Sequence, residues 1–414
     1  MTLLDKRAEV LDSLRGRILD MDQHEYAPAH QWTELFGEFT APFADFLMKE
    51  HDPDGMCSFS APVYKDEGPV EKALLEDAWD SGRPPVGPYA PGAWNMHRRL
   101  EVLDYYGYEQ AFLFPSGVGM MGYIFINTTP ERLALFNFGD ATMTVEQMMG
   151  IGRGLLDAWN TWCIEQQKIS PRLRPVAFID SNDLDLAVAE VHRLAAAGIR
   201  AIGIPSGVTP GGKSPGHPDT DPLWAAFVEH DIPVLFHAGG DYGILRSATW
   251  GDYGFNNGVG QKMESPEGVL EPWTWSQMHM GTMNQVSLMI LGGVLDRFPQ
   301  LRVGCIEVSA HWVGPMIENL TNVGSQFRRL MSRLELTPQE YVERNVRVSG
   351  FFWEPMDVYL DRFPWLENIL VYGSDYGHYE GGRDPVHLFA EKLERFGPEM
   401  LEKFFVTNAR LLMP

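Results

Sequence analysis

The chain has 414 residues, with 56 acidic against 33 basic side chains and a formal net charge of −23. That balance argues against nucleic acid or an anionic membrane surface as a partner and suits the solvated surface of an acidic enzyme. The three cysteines, Cys57, Cys163 and Cys305, are odd in number and lack metal-type spacing, which argues against a disulfide framework or a cysteine-held zinc and points to the reducing cytosol.

In chain order, Met1 to Arg17 has no apolar core of signal length and reads as a short leading helix. No later stretch reaches transmembrane length, so a cytoplasmic protein is expected. The first strand is read at Arg17 to Pro28, RILDMDQHEYAP, an apolar run that delivers Asp22 and His24. Residues two apart on a strand point to one side, so these two can converge. A segment of about 25–98 follows, with proline and glycine clusters at His51 to Gly55 and Gly82 to Trp94. It exceeds an ordinary connection and is expected to cover the mouth of the fold. The helix Met96 to Tyr106 carries His97, Arg98 and Arg99, whose charge reads as surface solvation. It leads into a second strand, Gln110 to Ser116. A helix over Thr144 to Gln167 holds Trp159 and Trp162, read as core packing.

From Pro175 onward, strands and helices alternate at short intervals. The third strand is Pro175 to Asp180, its helix Asp183 to Ala197, and the fourth strand Ala201 to Ser206. Asp221 and Pro222 open the next helix as cap and first turn. The fifth strand ends at His237, the sixth is Arg302 to Glu307, the seventh Asn345 to Gly350, and the eighth ends at Gly373. Apolar strands alternating with helices call for an α/β fold with a parallel sheet, and eight strands are the count of a (β/α)8 TIM barrel. The barrel forms one domain over 1–414, with long insertions after strands 1 and 5. The second insertion, about 241–277, carries Trp250, Trp273 and Trp275 with Asn256 and Asn257. It reads as a lid whose tryptophans wall in a small organic substrate or, alternatively, pack against loops or a second subunit. His279 opens the following helix, Met278 to Arg297, as a candidate pocket residue.

Three strand ends carry the chemistry. The run NILVYGSDYGH delivers Asp375 and His378, and DIPVLFHAGG delivers His237. Asp375 alone could be a helix cap, and His237 alone a satisfied core histidine. Together with Asp22 and His24 they offer two imidazoles and two carboxylates, a set that suits one divalent ion such as zinc or manganese.

The stretches DMDQHEYAP, RLRPVAFI, AAAGIRAIGIPSG, DPLWAAFVEHDIPVLFHAGG, GGVLDRFPQLRVGCIE and VYGSDYGHYEG occur in order from about Arg17 to the end. In these the chain resembles the amidohydrolase superfamily, in the amidohydrolase-related branch that includes the aromatic-acid decarboxylases related to aminocarboxymuconate semialdehyde decarboxylase. The resemblance implies that Asp22, His24, His237 and Asp375 bind or work with a single divalent metal, zinc before manganese, in a homodimer or homotetramer. Two departures stand out. Ala27-Pro28 replaces a family Glu-Pro pair, a lost carboxylate that Glu25 could partly replace. Glu307 stands where the decarboxylases usually carry a histidine, with His311 four residues later. Glu307 is then either catalytic or a partner that orients a metal histidine, and His311 or His279 is an alternative proton donor.

The leading expectation is metal-dependent hydrolysis of a small amide, lactone or related cyclic compound. The metal-bound water would have a pKa of ~7, with Asp375 moving its proton and His378 binding a substrate oxygen. His279, Trp273 and Trp312 are the candidate substrate contacts. The runner-up is nonoxidative decarboxylation of an aromatic or unsaturated acid, and a third reading is a binding or scaffold protein that kept the barrel.

Overall fold

The strands follow one another in chain order, and every pair formed among the described residues is parallel. In the computed structural model these are residues 3–49, 66–81, 84–133, 143–239 and 272–414. One sheet has the order β1 (Ile18–Glu25), β2 (Tyr108–Pro115), β3 (Leu173–Pro175). The other runs β4 (Ala177–Phe178), β5 (Ile202–Gly203), β6 (Val234–His237), β7 (Val303–Ile306), β8 (Val346–Ser349), β9 (Leu370–Val371). Hydrogen bonds cross both gaps. The N–H of Val176 donates to Leu113 O at 2.9 Å, so β3 and β4 are one run interrupted at a single residue. Beyond β9, the N–H of Met21 donates to Tyr372 O at 3.0 Å and that of Asp375 to Asp22 O at 2.8 Å, with a parallel bridge between Gln23 and Tyr376.

Helices lie between the strands, as the alternation predicts. The leading helix is Leu3–Leu14, and Val145–Gln166 starts at a reciprocal capping box of Thr144 and Gln147. Asp183 caps Leu184–Ala196, whereas Thr220 takes the cap position before Asp221–Glu229, leaving Asp221 and Pro222 inside the first turn. The helix expected over Met278 to Arg297 is two, His279–Leu291 and Val294–Arg297. Gly293 separates them at φ 68°, a left-handed conformation that ends a helix. Trp159 and Trp162 are buried and stacked, with ring centroids 4.8 Å apart, as expected of core packing. Cys163 and Cys305 are buried free thiols; Cys57, His51 to Gly55, Trp250, Asn256 and Asn257 lie outside the described residues. Among the described residues, no helix is long and apolar enough to cross a membrane.

The interior of the strand array is apolar, and side-chain alternation decides what faces it. Leu19 and Met21, Phe112 and Phe114, Phe178, Leu235, Ile306 and Val371 join one buried cluster, with Ala409, Leu412 and Met413 beneath them. Strict alternation from Leu19 and Met21 would put Gln23 inside and leave Asp22 and His24 outside. The register of β1 on β2 slips between Asp20 and Gln23, a β-bulge that turns two successive side chains to one face. Met21 therefore ends the apolar layer, and Asp22 and His24 stand above it.

Arg99 departs from the surface role expected of it. His97 is exposed, but Arg99 is fully buried and lies over the ring of Tyr376, 4.9 Å from its centroid. Its guanidinium donates to Gly92 O at 2.9 Å, Gln23 Oε1 at 3.0 Å and His24 O at 2.6 Å. Helical period sets it two positions from the exposed His97, on the inward face, next to Arg98, whose side chain is itself only 10% exposed and paired with Asp66. Within the 25–98 segment, Tyr26, Leu75, Ala90 and Ala93 gather at the same end and pack with Tyr376, and the N–H of Gly87 donates to Gly377 O at 2.6 Å. Arg99 thus ties this segment to the end of β1. Arg99→Met leaves three buried acceptors unpaired and is expected to lower stability by about 3–5 kcal/mol, read by urea denaturation.

Candidate metal centre

Each residue of the centre arrives at the end of a strand for a local reason. His237 is two residues beyond Leu235 and shares its inward face, where its ring stacks on Phe114 at 4.0 Å between centroids. Gly373 and Asp375 continue the inward face of Val371. A Cβ at Gly373 would lie 2.8 Å from the Cβ of Asp22, so only glycine lets these strands approach. Glu307 follows the inward-facing Ile306, and alternation would send it outward. Its φ of 57° turns it back, and Asp375 has a similar φ of 53°. Such backbone in a non-glycine residue costs about 1–3 kcal/mol and persists where the surroundings enforce it.

The side chains converge. His237 Nε2 lies 3.3 Å from Asp22 Oδ1 and 3.0 Å from Glu307 Oε2. His24 Nε2 lies 3.4 Å from Asp22 Oδ1, 3.4 Å from Asp375 Oδ1 and 3.7 Å from Glu307 Oε2. His378 Nδ1 is 2.9 Å from Asp375 Oδ1, a close contact without hydrogen-bond alignment. The far sides of the rings are also engaged. His237 Nδ1 donates to Ala238 O at 2.9 Å, and Ser116 Oγ lies between His24 Nδ1, at 3.1 Å, and His378 Nε2, at 2.9 Å.

Electrostatics set these groups against one another. Burial pushes Asp22 up, but hydrogen bonds and charge from His237 and His24 outweigh it and hold the carboxyl at about 2. Burial, then the charges of Asp375 and Asp22, push Glu307 well above the usual carboxylate range. Burial, then Asp22, Glu380 and Asp20, do the same to Asp375. Burial and the nearby His378 hold His24 well below the usual imidazole range, which keeps it neutral and able to offer a lone pair.

These features fit a divalent cation. Nε2 of His24 and both carboxylate oxygens of Asp375 are buried with no hydrogen-bond partner. Asp22, His24, His237 and Glu307, and likewise His24, Glu307, Asp375 and His378, each offer ligand atoms within 4.8 Å of one another. Buried, crowded carboxyls whose ionisation is suppressed by burial and by one another are relieved by a positive ion, and the oxygen and nitrogen donors suit zinc or manganese.

Six residues named from sequence, Asp22, His24, His237, Glu307, Asp375 and His378, are therefore brought together. The helix-cap alternative for Asp375 is not realised, since its carboxylate accepts no backbone N–H. Glu25 does not join the group; its Oε1 accepts the N–H of Ala27. His279 and His311 pair edge to face, 4.5 Å between centroids, outside the metal-ligating groups, with His311 exposed. Trp312 is buried and donates its indole N–H to Val308 O and Ser309 O, and Trp273 is half-buried on the helix Pro272–Gln277. Ser116 was not singled out from sequence, although Phe112, Phe114 and Ser116 share the period that leads from Leu235 to His237.

The amidohydrolase family model matches residues 122–413. The chain belongs to the amidohydrolase family. The match begins after β1, so Asp22, His24 and Ser116 lie ahead of it. A search of the curated proteins finds no match. Among solved structures, this amidohydrolase is similar to one from Mycobacterium avium subsp. paratuberculosis, at 21% identity and TM-score 0.64, over 96% of this chain and 99% of that one. It is also similar to 5-carboxyvanillate decarboxylase from Novosphingobium aromaticivorans, complexed with manganese and 4-hydroxy-3-methoxy-5-nitrobenzoic acid, at 18% identity and TM-score 0.56, over 96% and 97% of the two chains. A third, 2,6-dihydroxybenzoate decarboxylase complexed with 2,6-dihydroxybenzoate, matches at 15% identity and TM-score 0.56, over 96% and 99%.

Two outcomes are expected of this amidohydrolase. Elemental mass spectrometry should find about one divalent ion per chain, lost in His237→Ala. Burial and then the charge of His311 lower His279 to about 4. Between pH 4 and 6.5 the unfolded chain holds a proton there that the folded chain lacks, so stability falls as pH drops through this window. His279→Gln should flatten that slope in urea denaturation across the pH series.

Proposed function

We propose that this chain is a metal-dependent, nonoxidative decarboxylase of a small aromatic or unsaturated carboxylic acid, built on a closed (β/α)8 barrel. The observation that carries the reading is the likeness to decarboxylases over 96% of the chain. The hydrogen bonds across both sheet gaps support the closed barrel. We therefore rank decarboxylation ahead of the hydrolysis expected from sequence.

Asp22, His24, His237 and Asp375 would hold the metal, with Glu307 beside them. When bound, the ion supplies a Lewis acid for the substrate carboxylate and a neighbouring oxygen. Asp375 delivers a proton to the ring carbon that bears the carboxylate. As that C–H bond forms, the C–C bond to the carboxylate breaks, its electron pair restores the ring, and carbon dioxide leaves. His378, beside Asp375, orients the donor. The loop after β8 and the helix Pro272–Gln277 supply an apolar wall: Phe351 and Trp353 stack at 4.3 Å between centroids, with Trp275 edge-on at 5.3 and 6.0 Å. Such faces suit a planar ring. Manganese is the ion to test first, because the similar 5-carboxyvanillate decarboxylase holds it. A cytoplasmic homodimer or homotetramer that acts on a small molecule belongs to the same proposal.

Glu307, standing where the resemblance implies a histidine, favours a second reading in which these carboxyls deprotonate water for hydrolysis. The two readings separate on products. The manganese-loaded protein, incubated in D2O with hydroxylated benzoates, is expected to release carbon dioxide and leave deuterium at the vacated ring carbon. Asp375→Asn should lower kcat by about 10²–10⁴-fold. Lactone or amide cleavage with incorporation of labelled water oxygen, and no carbon dioxide, would overturn the decarboxylase.

A further inference from the structure

The two histidines that face the centre through Nε2 differ in what holds them. His237 Nδ1 meets a backbone carbonyl, which can only accept, so its hydrogen is on Nδ1 and its Nε2 lone pair faces Asp22 and Glu307. His24 Nδ1 meets the hydroxyl of Ser116, which can donate or accept. Nothing in that one contact fixes the tautomer of His24. The hydroxyl has a second partner, His378 Nε2, at 2.9 Å, and the rings of His24 and His378 stack with centroids 3.6 Å apart.

We propose that Ser116 is a positioning residue that sets the tautomers of His24 and His378 together, so that the His24 lone pair points into the metal centre. Its single hydrogen can satisfy only one ring. Directed to His378 Nε2, it leaves the oxygen to accept from His24 Nδ1–H, which frees His24 Nε2 for a ligand. It also confines the hydrogen of His378 to Nδ1, where it faces Asp375 Oδ1 at 2.9 Å. Directed the other way, the hydroxyl hydrogen occupies His24 Nδ1 and the ring proton moves to Nε2, which blocks the lone pair. With a cation in the centre Asp375 is a carboxylate and favours the first arrangement, because the second turns the bare Nδ1 of His378 toward it. Ser116 is held for this role by the β1–β2 ladder, its N–H donating to Glu25 O at 3.1 Å.

The inference rests on the metal reading but not on which reaction follows. Its test is manganese affinity by competition with a chromophoric chelator, alongside ¹⁵N spectra of the histidine side chains in the metal-free chain. Ser116→Ala is expected to weaken manganese binding by about 10- to 100-fold and to replace the single tautomer of His24 and His378 with mixtures. Ser116→Thr keeps the hydroxyl and should restore both. Unchanged affinity and unchanged spectra in Ser116→Ala would overturn the proposal, as would equal losses in the alanine and threonine variants, which would mark a packing role. A wild-type chain that binds no manganese or zinc sinks the metal-dependent function instead, and the metal-free spectra still decide the role of Ser116.

Discussion

Several carboxyl groups buried within a few ångströms of one another are the constraint around which this structure is arranged. Asp22, Glu307 and Asp375 share one water-poor end of the strand array, where burial first and neighbouring carboxylates second suppress the ionisation of Glu307 and Asp375. A fold tolerates this only where its apolar framework holds the strands and a positive partner is expected. The left-handed backbone at Glu307 and Asp375 and the bare Cα of Gly373 are local consequences of forcing those groups together. The apolar layer of Leu19, Met21, Phe114, Leu235 and Ile306 beneath them keeps the floor dry.

The junction of β1 with the segment after β9 carries much of this arrangement. Asp22 O accepts from Asp375 N–H, Ser374 Oγ donates to the same carbonyl at 3.1 Å, and His24 N–H donates to Tyr376 O at 2.8 Å. Two facing groups of the centre are thereby registered through the backbone. Arg99 braces the outer side of that junction through His24 O and Gln23, so a residue remote in sequence helps to fix the angle at which His24 enters. Control of a metal-type site by groups behind its ligands is a general property of such centres.

Much of this was legible in the sequence. An apolar run that stops at one polar residue marked His237 and Asp375, and the Asp-x-His spacing marked Asp22 and His24. The residues that escaped did so for identifiable reasons. Ser116 ends the same kind of run, but a hydroxyl does not announce chemistry as an imidazole does. Arg99 reads as surface because its neighbours are polar, and its burial depends on carbonyls brought in from β1 and the loop before its helix. The inward turn of Glu307 is a backbone event invisible to a period-2 pattern. The break at Val176 splits an expected strand because its halves pair with different neighbours, β3 with β2 and β4 with β5.

The slip in register between Asp20 and Gln23 has an implication for how this strand can change over time. Which side chains of β1 meet the metal site is determined by a count of residues as much as by their identities. Substitutions at Leu19 or Met21 alter packing gradually, whereas closing the slip at unchanged length would turn the carboxylate and imidazole toward the outer helices and present an amide in their place. A drifting lineage can therefore exchange letters in this stretch only while the extra residue stays accommodated at the same point.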